Sequence, residues 1–282
     1  MSTVFLYTPH PDDETLSMGL AATYYLSLGY EVHFVFMSPG GSTSARDKVN
    51  NGYNCQFHGH VHNCAQEGYP ADLTMDQVGV IRLNEGKSAV GAMGTVSNAG
   101  QVIVHEEKAF STYPDFAYFG GTDWQNPINV DVVQAIMKGY IDAYPGSIHH
   151  TMSDLDRHAD HACLGHALRN LKNDPAYSAK LAGSRFFISR LYWSTTDYPD
   201  IAAKPGYTWV SSMIKSGRTT ADYSAKMAEC TAVLRNRVGP MYYAWNPAAM
   251  SLAIGAHSVQ GQFESNGLVP GSTVAIDNKW HL

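Results

Sequence analysis

An apolar run, Val4-Phe5-Leu6-Tyr7, leads within three residues into His10-Pro11-Asp12-Asp13-Glu14. Consecutive apolar side chains of this kind mark a strand covered on both faces, as in a parallel sheet lying between layers of helix. An imidazole and three carboxylates then crowd a single turn. Carboxylates so close repel one another, and buried charge without a partner is strongly unfavourable. A divalent cation is the simplest agent that stabilises such a cluster, so the turn predicts a metal site at the end of the first strand.

The segment after the turn predicts the fold class. Over residues 15–28, Leu16, Leu20 and Tyr24 recur at helical spacing, and Gly29 stands where a helix terminus favours positive φ. Residues 31–37 read as a second strand. Strand, helix, strand with short connections implies a right-handed crossover and an α/β, Rossmann-like fold, with a mostly parallel sheet and helices on both faces. Ligands of such sheets bind beyond the carboxyl ends of the strands, where His10 to Asp13 fall.

Farther along, helices are expected at 75–94, 128–144 and 219–238, and strands at 102–105, 116–119, 147–151, 185–190 and 207–211. A loop over 154–161 leads into a helix to Leu171. Residues 38–74, aperiodic and rich in Gly, Ser, Asn and His, are expected to form a long loop acting as a lid or pocket wall. All 282 residues are expected to make one domain, although the aromatic-rich chain beyond about residue 190 yields few clear elements.

With a net charge of −6 and a pI near 6.1, the chain has no basic field to hold a polyphosphate, which excludes nucleic acid as partner and points to a small molecule. Apolar runs fall short of the roughly 18 residues that span a bilayer, and no export signal is evident, so a soluble, cytoplasmic protein is expected. Cys55, Cys64, Cys163 and Cys230 include no Cys-x-x-Cys pair, which disfavours a zinc knuckle. Reduced thiols are the expectation there, with a Cys55–Cys64 disulfide left open. Nothing in the sequence sets the oligomeric state.

A second polar cluster, His158-Ala159-Asp160-His161, also follows an expected strand and should reach the same end of the sheet. His10, Asp13 and one of the later histidines supply two nitrogens and one oxygen, a set that leaves room for water as catalytic zinc sites do. Asp12, next to Asp13 in a tight turn, is the candidate base for that water, and a spare histidine could steady a developing oxyanion.

Together, His10 to Glu14 and His158 to His161 resemble the motifs of the PIG-L/LmbE family of metal-dependent N-deacetylases. The likeness extends to Arg82 and Glu85, with Ala89 and Met93-Gly94 behind them, and spans roughly the first 170 residues. It implies a zinc enzyme, with iron(II) an alternative in cells. His10, Asp13 and His161 become the ligands, Asp12 the general base, His158 the group polarising the amide carbonyl, Asp160 the residue orienting His158, and Arg82 a substrate contact. The implied substrate is an N-acylated, in the first instance acetylated, amino sugar or glycosylated metabolite such as one bearing N-acetylglucosamine.

Plainer readings compete. Asp12 or Asp13 could cap the following helix, Asp160 could cap a helix starting at His161, and Arg82 could pair with Glu85 on a solvent face. His58, His60 and His62 alternate at no standard metal spacing and read as loop residues; His149, His150 and His166 receive no role. Tyr242, Tyr243 and Trp245 read as core rather than as a sugar platform. Rival functions are a non-haem iron oxygenase built on a two-histidine, one-carboxylate site, and a non-catalytic sugar-binding member of the fold. A dinucleotide site is disfavoured, because the first strand is not followed by a Gly-rich turn.

Overall fold

Along the first strand, alternate side chains serve two different cores. Val4 and Leu6 pack into one apolar cluster, and Phe5 and Tyr7 into another on the opposite face. The computed structural model describes residues 1–41, 43–55, 60–66, 68–97, 100–107, 130–188, 199–208, 210–211 and 279–282. In it, β1 (Thr3–Thr8), β2 (Glu31–Phe36), β5 (Gln101–Glu106), β6 (Ile148–Met152) and β7 (Arg185–Phe187) form consecutive parallel pairs in the order β5-β2-β1-β6-β7. The short β9 (Lys279–His281) and β8 (Val210–Ser211) extend that edge antiparallel. The fold is therefore α/β with a mostly parallel sheet.

Helices cover both faces. On one side, α2 (Gly19–Ser27) contributes Ala21, Ala22, Tyr25 and Leu26, and α4 (Met75–Ser97) contributes Ala89, Val90 and Met93. On the other, α5 (Val130–Ala143) offers Val133, Met137 and Ile141 at successive turns, and α6 (Ala159–Asn173) offers Leu164, Leu168 and Leu171. No helix among the described residues is long and apolar enough to cross a membrane.

Two local expectations are corrected. The single helix expected at 15–28 is two pieces, α1 (Asp13–Leu16) and α2, because Ser17 Oγ donates to Asp13 Oδ1 at 2.9 Å and the Met18 N–H reaches back to the Asp13 carbonyl, which breaks the helical ladder. The expected loop over 38–74 contains α3 (Ser44–Asn51) and an antiparallel pair, β3 (Tyr53–Cys55) with β4 (His60–His62). Asn50 ties this unit down: its amide donates to the Leu73 carbonyl at 3.0 Å, and its oxygen accepts from the Leu73 N–H at 2.9 Å and the Cys64 thiol at 3.2 Å. Val49, Cys64, Leu73 and Val78 form a small core beneath it. Strands of three residues are too short for periodicity to reveal.

Among the described residues, Cys64 forms no disulfide, and its thiol donates to Asn50 Oδ1. The expected strand at 116–119, the helix at 219–238, His58, Cys230, Tyr242, Tyr243 and Trp245 lie outside the described residues.

Candidate metal centre

Strand β1 is the point where the sheet reverses its winding: β2 lies on one side of it and β6 on the other, each paired in parallel. A crevice opens at such a reversal beyond the carboxyl ends of the strands. The loop after β1 brings His10, Asp12 and Asp13 to it, and the loop after β6 brings Asp156, His158, Asp160 and His161.

Asp13 Oδ2 lies 3.1 Å from His10 Nδ1 and 3.1 Å from His161 Nε2. All three atoms are buried, and none makes a well-directed hydrogen bond. Donor atoms around a tetrahedral zinc with bonds of about 2.0–2.2 Å lie roughly 3.3–3.6 Å apart, so both separations from Asp13 Oδ2 are within a few tenths of an ångström of those in a ligand set. His158 brings a nitrogen, and Asp12 an oxygen, within 4.8 Å of ligand atoms of the same cluster. Two imidazoles and a carboxylate with a further imidazole and carboxylate beside them fit a divalent cation of zinc type.

The electrostatics follow from burial in a crowd of carboxylates. Burial works against charging His161, but Asp13 and Asp156 outweigh it and push its pKa up to about 10. His10 rises likewise, against burial, through its contacts with Asp12, Asp13 and Asp160. Asp13 is held well below the usual carboxylate range despite burial, because His161 and His10 favour its charge. The surrounding carboxylates thus favour positive charge at both histidines, and a cation held by the neutral rings would supply it in place of their protons. Asp12 is raised by burial and by the Asp13 charge, more than Arg82 and His10 lower it, which makes it a better proton acceptor than an ordinary aspartate. His158 is lowered well below the normal histidine value by burial and by the neighbouring His161 and His10, so it is neutral near pH 7.

Helix α6 begins at Ala159, two residues before the expected start, and its N-cap is His158 rather than Asp160. The reason is that His158 Nδ1 accepts the Asp160 N–H at 3.3 Å, the service an aspartate cap would otherwise give. That bond leaves the proton of neutral His158 on Nε2. The Asp160 carboxylate, fully buried, lies 3.3 Å from His10 Nε2 and 3.6 Å from His158 Nδ1, so it stands at His10 as much as at His158.

Arg82 does not lie on a solvent face. It is 4% exposed and donates to Asp12 Oδ2 at 2.9 Å, to the Pro11 carbonyl at 2.7 Å and to the Gly40 carbonyl. Sequence reasoning missed Asp156, whose Oδ2 lies 3.1 Å from His161 Nδ1 and whose Oδ1 accepts the His158 N–H at 2.9 Å. Its signal was a second acidic residue in Asp156-x-His158-x-Asp160, a spacing no general ligand rule singles out. It also gave no role to Glu14, whose Oε2 accepts the Asp12 N–H at 2.7 Å. His149 and His150, given no role, are core residues: His149 is bonded to Tyr7 and Ser147, and His150 to Tyr25 and the Arg185 N–H.

Among solved structures, the chain is similar to the A40926 pseudoaglycone deacetylase Dbv21, at 11% identity over 99% of this chain and 95% of that one, with a TM-score of 0.53. A deacetylase–teicoplanin complex from the biosynthesis pathway of teicoplanin is similar at 13% identity over 99% and 97% of the two chains, also with a TM-score of 0.53. At such identities the likeness is one of fold. No curated protein matches by sequence. A family model described as PIG-L, GlcNAc-PI de-N-acetylase, matches residues 5–172, more than half of the chain and the whole of both motif-bearing loops. The chain therefore belongs to the PIG-L family.

Proposed function

We propose that this chain is a zinc-dependent hydrolase that removes an acyl group, acetyl in the first instance, from the nitrogen of an amino sugar or a sugar-bearing metabolite. The observation that carries the reading is the convergence of His10 Nδ1, Asp13 Oδ2 and His161 Nε2, with Asp12 and His158 beside them. Membership of the PIG-L family, whose model is described as GlcNAc-PI de-N-acetylase, supports the reaction and substrate class, and the fold shared with the A40926 pseudoaglycone and teicoplanin-pathway deacetylases agrees with it.

In this reading His10, Asp13 and His161 hold the cation. When bound, zinc acidifies water and polarises a carbonyl oxygen as a Lewis acid. Asp12 takes a proton from the attacking water as its oxygen bonds to the amide carbon, and passes that proton to nitrogen as the carbon–nitrogen bond breaks. His158 donates from Nε2 to the oxyanion of the tetrahedral intermediate, its ring aimed by the bond between Nδ1 and the Asp160 N–H. The products are a carboxylic acid and a free amine.

The test is amine and acetate release from N-acetyl sugars, sugar–thiol conjugates and N-acylated glycopeptides, with zinc-loaded and chelator-treated enzyme side by side. Release that needs zinc supports the reading; no release from any of them by the loaded enzyme overturns it. Asp12→Asn should retain zinc and lose at least about a hundredfold in kcat. Near-normal turnover by that variant would remove Asp12 from the mechanism.

A further inference from the structure

Helix α4 crosses the carboxyl ends of β1 and β2 with Gly79, Arg82 and Gly86 on one face, at the i, i+3, i+7 spacing of a helical stripe. The approach is close: a Cβ on Gly79 would stand 3.0 Å from Pro39, and one on Gly86 would stand 3.1 Å from Pro11. Arg82 fills the gap between those two contacts. One arm of its guanidinium donates to the carbonyl of Gly40 in the loop after β2, and the other to the carbonyl of Pro11 and the carboxylate of Asp12 in the loop after β1.

The peptide so held is strained. Asp12 has φ 150° and ψ −36°, a backbone conformation that residues with a side chain rarely adopt. It persists because both sides are pinned: Glu14 Oε2 accepts its N–H at 2.7 Å, and Arg82 holds the preceding carbonyl and the side chain. A planar fork reaches three oxygens in two loops, which an ammonium on a flexible stem does not reproduce.

We propose that Arg82 is a positioning residue, a clamp that joins the two loops and sets the Asp12 carboxylate for proton transfer rather than a group that grips substrate. The clamp is a feature of the fold, while its catalytic consequence rests on the reading of Asp12 as general base. Misplacing a reacting group by about an ångström costs on the order of a hundredfold, whereas loss of a substrate contact raises KM.

Arg82→Ala is therefore expected to lower kcat about a hundredfold with KM within about threefold and zinc affinity unchanged. Arg82→Lys should recover little of the loss, and guanidinium ion added to Arg82→Ala should restore part of it. Hydrogen exchange, which needs no substrate, should rise together in peptides covering residues 9–14 and 38–41. Should Arg82→Ala fold poorly, Arg82→Met, which keeps the length of the side chain but none of its donors, gives the same test. A raised KM with unchanged kcat, or exchange that stays at the wild-type rate in both loops, would overturn the clamp. Raised exchange in an enzyme that hydrolyses none of the amides would keep the clamp and discard the assigned reaction.

Discussion

Acid should weaken this fold through a residue far from the metal centre. His149 on β6 is 2% exposed, stacked on Phe5 at 5.0 Å and 9°, with Nδ1 bonded to the Tyr7 hydroxyl at 2.9 Å and Nε2 to Ser147 Oγ at 2.7 Å. One ring nitrogen donates and the other accepts, which suits the neutral ring. Burial, with a smaller contribution from His33, pushes its pKa down to about 3. The folded value lies below the unfolded value of about 6.5, so the unfolded chain takes up the proton first as pH falls. The stabilising contribution of the neutral ring is whole above about pH 6.5 and is lost progressively towards about pH 3. At pH 5 the loss amounts to roughly 1.5 pH units at about 1.4 kcal/mol each, or about 2 kcal/mol.

His149→Gln keeps a donor and an acceptor for Tyr7 and Ser147 but does not titrate. Urea unfolding of both proteins in chelator, at pH 7.5 and pH 5, separates this contribution from the other ionisable groups, which the two proteins share. Wild type should lose about 2 kcal/mol more than the variant between those conditions. Equal losses, within about 0.5 kcal/mol, would show that His149 is not the buried neutral base described here.

Two further outcomes follow from the site. Asp12→Gly and Asp12→Ala should both be inactive, but the glycine variant should unfold about 1 kcal/mol later in urea titrations. It sheds about 1–3 kcal/mol of strain and gives back up to about 1 kcal/mol in chain entropy, so equal or lower stability would argue against strain at Asp12. Asp156→Ala should weaken zinc binding about 10–100-fold in competition with a chromophoric chelator, because His161 loses the carboxylate behind its second nitrogen. Unchanged affinity would argue against Asp156 as the group that supports His161.

The motifs were legible because their chemistry is local. A strand running into His10 to Glu14, and a second cluster at His158 to His161, mark two polar groups at one edge of the sheet, and the apolar periodicities of β1, β2, α5 and α6 announce a covered parallel sheet. The antiparallel pair β3–β4 was not legible, since strands of three residues carry no repeating pattern. The cap of α6 was misread for another reason: a histidine supplied the acceptor that an aspartate two residues later offered on paper.

By itself the sequence determined which groups are present and that two loops would carry them to one end of a parallel sheet. Only the tertiary structure decided how those groups are shared out: Asp13 between His10 and His161, Asp156 behind His161, and Arg82 on Asp12 instead of on a solvent face with Glu85. The reason is physical. A residue's type is fixed by its covalent chemistry, but its partner is whichever complementary group the packing of distant segments brings within about 3 Å, and burial then makes that pairing binding.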